Sequence, residues 1–174
     1  REMSKVYLAS GISDKARKTY QAGVVDKLVE LGYEVYGASK NDSINDKSND
    51  PTPADIYNGD IPRVLESDYV VVAISGAGED GTISEIGAVT GWNEYEYLQK
   101  IKLNKQYEPY KPIKIVAYLT NERLLQPQFY IGKTGAKIGV PSAGYNHLVL
   151  AMIDKWGVLL ESEDAMLEYM KNEL

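Results

Sequence analysis

Short apolar runs alternate along the chain with segments of helical periodicity. Lys5–Ser10 (KVYLAS) reads as a first strand ending at Gly11. Ala16, Tyr20, Val24, Leu28 and Leu31 then fall mostly four apart and predict one face of a helix, with Ser13 or Asp14 as its cap and Gly32 at its C′ position. Tyr33–Tyr36 makes a short second strand. Residues 37–53 are rich in Asn, Asp and Ser and close on two prolines, the composition of a loop that is either disordered or a functional lid. Helical spacing resumes at Ala54, with Ile56, Val64 and Leu65 expected inward. Pro62 must occupy a first turn or a kink, which puts Asp60 at a helix break.

Tyr69–Ile74 is apolar and β-branched, bounded by Asp68 and by Ser75-Gly76, as a strand buried on both faces would be. An acidic glycine turn follows, and Thr82 opens a helix reaching about Gln99. Ile113–Leu119 is a fourth strand, and residues 121–144 read as a long, glycine-bearing loop. A helix over Tyr145–Lys155, a strand over Val158–Leu160 and a last helix opened by Ser162 complete the chain. This alternation predicts an α/β fold: a doubly wound, flavodoxin/Rossmann-like parallel sheet of five strands with helices on both faces. No repeat or internal boundary is visible, so residues 3–174 are expected to form one domain. Met3 reads as the native start, with Arg1-Glu2 foreign to it.

In such a sheet ligands sit beyond the carboxyl ends of the strands. The stretch 66–91 (ESDYVVVAISGAGEDGTISEIGAVTG) supplies strand, tight turn and helix start in succession, and brings acids to that edge. With no cysteine and the single His147, thiol chemistry and thiolate or zinc sites are excluded or poorly supported, and no metal is expected. The net charge of −6 argues against a nucleic-acid polymer as partner. No apolar run reaches membrane-spanning length, no signal-peptide pattern opens the chain, and a cytoplasmic location is the default. The fourteen tyrosines, beside one phenylalanine, fit amphipathic packing and subunit contacts better than ligand stacking.

Glu85 is the leading candidate for chemistry. Thr82-x-x-Glu85 has the spacing of a capping box, in which the glutamate would bond back to its own helix. Against that, Gly87 and Ala88 leave space beside it, and a carboxylate nucleophile suits glycosyl chemistry. Asp80 and Asp60 read either as turn and helix-start residues or as members of a carboxyl cluster in which one pKa is raised, yielding a proton donor beside an ionised nucleophile. Glu79 is expected to be solvated. Tyr7 is either core or a phenol directed at the strand's carboxyl end. Neither GxxxxGK[ST] nor GxSxG occurs, Gly76-x-Gly78 is only a weak match to a dinucleotide-binding loop, and no cofactor is expected.

These motifs resemble the nucleoside 2-deoxyribosyltransferase family. The likeness is carried by residues 5–11 (KVYLASG), 57–60 (YNGD), 67–73 (SDYVVVA) and 79–87 (EDGTISEIG), and more weakly by 118–123 and 145–148. It implies transfer of a 2-deoxyribosyl group between nucleobases by double displacement with net retention. Glu85 would be the nucleophile, Asp60 and Asp80 the carboxyls that contact and protonate the departing base, and Tyr7 the tyrosine that orients the nucleophile. Gly11 and Gly81 would line the substrate. Asn146 would be lent to a neighbouring subunit's sugar, which implies a homo-oligomer with shared sites. The partners implied are a deoxynucleoside and a free nucleobase. Two alternatives stand beside this. A 2′-deoxynucleoside 5′-phosphate N-hydrolase would use the same glutamate, with Ser13 and Ser142 free to serve phosphate, although Glu79 and Asp80 should repel it. A non-catalytic nucleoside-binding module would use Glu85 merely as a cap.

Overall fold

The computed structural model describes residues 2–41, 50–76, 79–102, 110–121, 128–131, 133–135, 137–140 and 145–174. The elements run β1 (Lys5–Ala9), α1 (Lys15–Glu30), β2 (Glu34–Gly37), α2 (Pro53–Leu65), β3 (Tyr69–Ile74), α3 (Asp80–Tyr97), β4 (Lys114–Leu119), β5 (Gln128–Ile131), β6 (Lys137–Val140), α4 (His147–Trp156), β7 (Gly157–Leu160) and α5 (Glu163–Asn172). Five strands form one parallel sheet in the order β2–β1–β3–β4–β7, the expected Rossmann-like α/β arrangement. Alternation along the strands divides the core in two. Val6, Leu8, Val71 and Val116 pack on one face against Val24, Val25 and Leu28 of α1 and Met166 and Met170 of α5. Tyr7, Val70, Val72 and Ile115 pack on the other face against Val64 of α2, Ile86 and Val89 of α3, and Val149 and Ile153 of α4.

The helix ends are built as the sequence implies. Asp14 caps α1 by accepting from the Arg17 amide. Gly32 takes φ +104, and the Gly32 and Tyr33 amides close back on Val29 and Leu28, so a left-handed residue ends the helix where glycine pays least. Ser162 likewise caps α5.

Four expectations need correcting. α2 is a single helix through Asp60, started by a Thr52–Asp55 capping box with Pro53 in the first turn. Pro62 lies in the last turn, where its missing N–H forfeits one intrahelical bond close to the end, so Asp60 sits on a regular helix and not at a break. Ile56 is exposed, leaving Val64 as the buried anchor one turn beyond Asp60. On α1 the buried stripe is Gln21, Val24, Val25 and Leu28; Ala16 and Tyr20 are exposed, because the stripe runs at the i, i+3, i+4, i+7 spacing from Gln21. The stretch 121–144 is not featureless: β5 and β6 pair there as an antiparallel hairpin, from Gln128↔Val140 to Ile131↔Lys137. The segment 37–53, expected to be either a disordered loop or a lid, has a 3-10 turn at Ala38–Lys40, and its residues 42–49 lie outside the described residues.

α3 is tied to β4 by Asn93, which is almost completely buried. Its Nδ2 donates to the Ile113 carbonyl at 2.8 Å and its Oδ1 accepts from the Ile113 amide at 2.9 Å. Asn93→Ala leaves two buried backbone groups unpaired and should destabilise the fold by about 2–4 kcal/mol, readable as a lowered urea midpoint. A midpoint unchanged from the parent would contradict this assignment.

Candidate active site

In this strand order the chain leaves β1 toward β2 on one side and reaches β3 on the other, so the crevice beyond β1 and β3 is the natural place for a ligand. A cavity of about 820 Å³ opens there. Its walls come from the turn after β1 (Ser10–Ser13), the start of α1 (Arg17, Lys18), α2 (Ile56, Asp60) and the start of α3 (Asp80–Thr82, Glu85), together with Glu79.

Glu85 does not fasten its own helix. α3 begins at Asp80, two residues before the expected start, with Glu79 at the N-cap and no side-chain capping bond. Glu85 therefore falls in the second turn, on the sheet-facing stripe with Thr82, Ile86 and Val89. There the Tyr7 hydroxyl donates to Glu85 Oε1 at 2.5 Å. Burial raises the Glu85 carboxyl to about 7; the Tyr7 bond opposes the rise and the charge of Asp60 adds to it. The Tyr7 phenol is pushed far upward by burial and by Glu85, so it remains a donor.

Asp60 reaches the same cavity from α2, one turn before buried Val64. Its carboxyl is raised by burial, with the Tyr36 hydrogen bond and the Arg63 charge working against the rise. Asp80 is the first residue of α3 and stands exposed at the cavity wall. Gly11 and Gly81 line the cavity as well. A Cβ at Gly11 would come within 2.9 Å of Arg17 Nη1 and 3.4 Å of Glu79 Oε1, whereas one at Gly81 would meet nothing within 4 Å. Asn146 stands apart from this cavity: it is exposed, and its side chain caps α4 by accepting from the Val149 amide at 3.1 Å. His147 opens α4 and is exposed. Ser142 lies outside the described residues.

Glu79 overturns the expectation that it is solvated. It is buried, accepting from the Tyr145 hydroxyl at 2.7 Å and from the Ser75 hydroxyl. Gly76, at φ +138, turns the chain sharply after β3, which lets the Glu79 side chain fold back on Ser75. Tyr36, Arg17 and Lys18 also belong to this region and were not among the residues expected there. Tyr36 was discoverable, because parallel register sets it beside Tyr7. The two cations change the electrostatic picture: Asp50, Asp60, Glu79, Asp80 and Glu85 face the cavity, but Arg17 and Lys18 share its rim. Among the described residues no acidic or histidine cluster could hold a metal ion, and no helix is long and apolar enough to cross a membrane.

No protein-family model and no curated protein sequence matches the chain. Among solved structures it is similar to a conserved protein from Enterococcus faecalis V583, 26% identical over 99% of this chain and 100% of that one, at a TM-score of 0.72. It shares its fold with a CMP N-glycosidase of Clostridium botulinum at 16% identity, covering 97% of this chain and 99% of the other at a TM-score of 0.55. A 2-deoxyribosyltransferase of Bacillus psychrosaccharolyticus aligns with 67% of this chain and 72% of its own, at 16% identity and a TM-score of 0.42.

Proposed function

We propose that this protein acts on the N-glycosidic bond of nucleosides, transferring a 2-deoxyribosyl group between nucleobases through a covalent link to Glu85. The observation that carries this reading is the Glu85 carboxylate, released from any capping role, held by the Tyr7 hydroxyl, and opening onto a cavity that also holds Asp60 and Asp80. The name of the CMP N-glycosidase with the same fold points to the same bond.

The chemistry follows from the groups present. A 2-deoxy sugar lacks an electron-withdrawing 2-hydroxyl, so positive charge develops readily at its anomeric carbon. Five carboxyl side chains against two cations on the cavity wall favour that charge. The Glu85 oxygen forms a bond to the anomeric carbon as the C–N bond breaks. The electron pair goes to the departing base, which takes a proton from Asp60 or Asp80. A second base then attacks from the vacated side, returns a proton to the acid and frees Glu85. Two inversions give net retention. Asn146 enters this reading as a residue offered to a neighbouring copy's sugar. Its Oδ1 is taken by the α4 cap, so a sugar hydroxyl would accept from Nδ2.

Hydrolysis of a deoxynucleoside 5′-phosphate is the second reading. Arg17 and Lys18 beside Ser13 favour it, since they place positive charge where Glu79 and Asp80 alone would repel an anion. Incubation of deoxyinosine with free adenine is expected to yield deoxyadenosine. With an N7-methylated deoxypurine nucleoside, whose base leaves without taking a proton, the rate should rise with pH through about 7 as Glu85 ionises. Free deoxyribose phosphate from the monophosphate, with no exchange, would establish the second reading instead; no turnover of either would leave a binding module.

A further inference from the structure

Tyr36 lies near the end of β2 directly across from Tyr7 of β1, and the two rings stack with centroids 5.4 Å apart. Its hydroxyl oxygen accepts from Asn41 Nδ2 at 2.8 Å and meets Asp60 Oδ1 at 3.1 Å. A phenol has one hydrogen to give. With Asn41 donating into the oxygen, that hydrogen points at Asp60 Oδ1. The Arg63 guanidinium lies 4.5 Å over the same ring, clamping it from α2. One side chain therefore touches both halves of the site: the phenol that holds the nucleophile and the carboxyl that faces it.

We propose that Tyr36 is the positioning residue of the proton-transfer step, holding Asp60 by Oδ1 so that Oδ2 carries the proton to the departing base. This rests on the glycosyl-transfer reading above. When the glycosidic bond breaks, its electron pair moves to the base nitrogen, the Oδ2 proton follows it, and Asp60 is left ionised with Oδ1 still accepting from Tyr36. That bond stabilises the carboxylate so produced, which makes Asp60 a better donor. The incoming base releases its proton back to Oδ2, and the cycle closes. Among the described residues, Tyr36, Arg63, Tyr7 and Glu85 are electrostatically coupled to Asp60, and Arg17, Lys18, Asp50, Glu79 and Asp80 share its cavity.

Tyr36→Phe keeps the ring and its stack on Tyr7 and removes only the hydroxyl. Turnover of an ordinary deoxypurine nucleoside should fall about tenfold, the loss of one hydrogen bond to a charged group. A deoxynucleoside whose purine is methylated at N7 already carries a positive leaving group and needs no proton. Its turnover should change less than about twofold. Carboxyl-carbon NMR of the same variant should show Asp60 titrating at higher pH than in the parent, a readout that needs no turnover. Equal losses with both substrates, or an Asp60 titration that does not move, would overturn the proposal. If the parent turns over neither substrate, the functional reading fails, and the NMR titration still decides whether Tyr36 governs Asp60.

Discussion

Glu85→Gln is expected to abolish base exchange, by at least about 10⁴-fold, in a protein that remains folded. The amide can still accept from Tyr7 and fills the same space, so packing on the sheet-facing stripe of α3 is kept. A neutral amide cannot bond to the anomeric carbon and leave again as a carboxylate. The stability of this variant carries a sign that a capping role would reverse. Glu85 titrates near 7 in the folded chain against an ordinary 4.5, so its burial opposes folding once it ionises. That cost is absent below about 4.5 and fully present above about 7. The Gln variant should therefore be more stable than the parent at pH 8, by up to about 3 kcal/mol, with the difference vanishing by pH 4. Urea midpoints at the two pH values measure it. A Gln variant destabilised equally at both would mean that Glu85 serves the helix.

The second large effect is expected at Asp60. Asp60→Asn should lower exchange of neutral deoxynucleosides by about 10²–10⁴-fold, the range of a general acid, and spare an N7-methylated purine. The charge of Asp60 raises Glu85, so the rising limb of activity on the methylated substrate should shift to lower pH in this variant. Loss of the same size on both substrates would move the acid's role to Asp80, which stands on the same cavity wall.

The strand pattern was legible because parallel strands buried on both faces read as near-continuous apolar runs, as in Tyr69–Ile74 and in Lys114–Leu119 after its first residue. Helix boundaries at Asp14, Gly32 and Ser162 were legible because caps are local chemistry. The course of α2 was not. Pro62 predicts a break wherever it falls in a helix interior, and only the distance to the helix end, set by tertiary packing of Val64, shows that the cost is one bond. Glu79 failed for a similar reason. Its neighbours in sequence are polar, and its burial comes from Tyr145, sixty-six positions away. Tyr7 was singled out on a strand, Asp60 at a helix break and Glu85 near a helix start. Their meeting depends on three elements sharing one face of the sheet, which periodicity along any one of them does not encode.

The most direct test is intact-protein mass spectrometry after rapid acid quenching of the protein with a deoxynucleoside and no acceptor base. The account predicts a gain of one deoxyribosyl group, located by peptide mapping on Glu85 and lost when adenine is added before the quench. Exchange that proceeds at full rate with no such adduct, or an adduct on any other side chain, would contradict it.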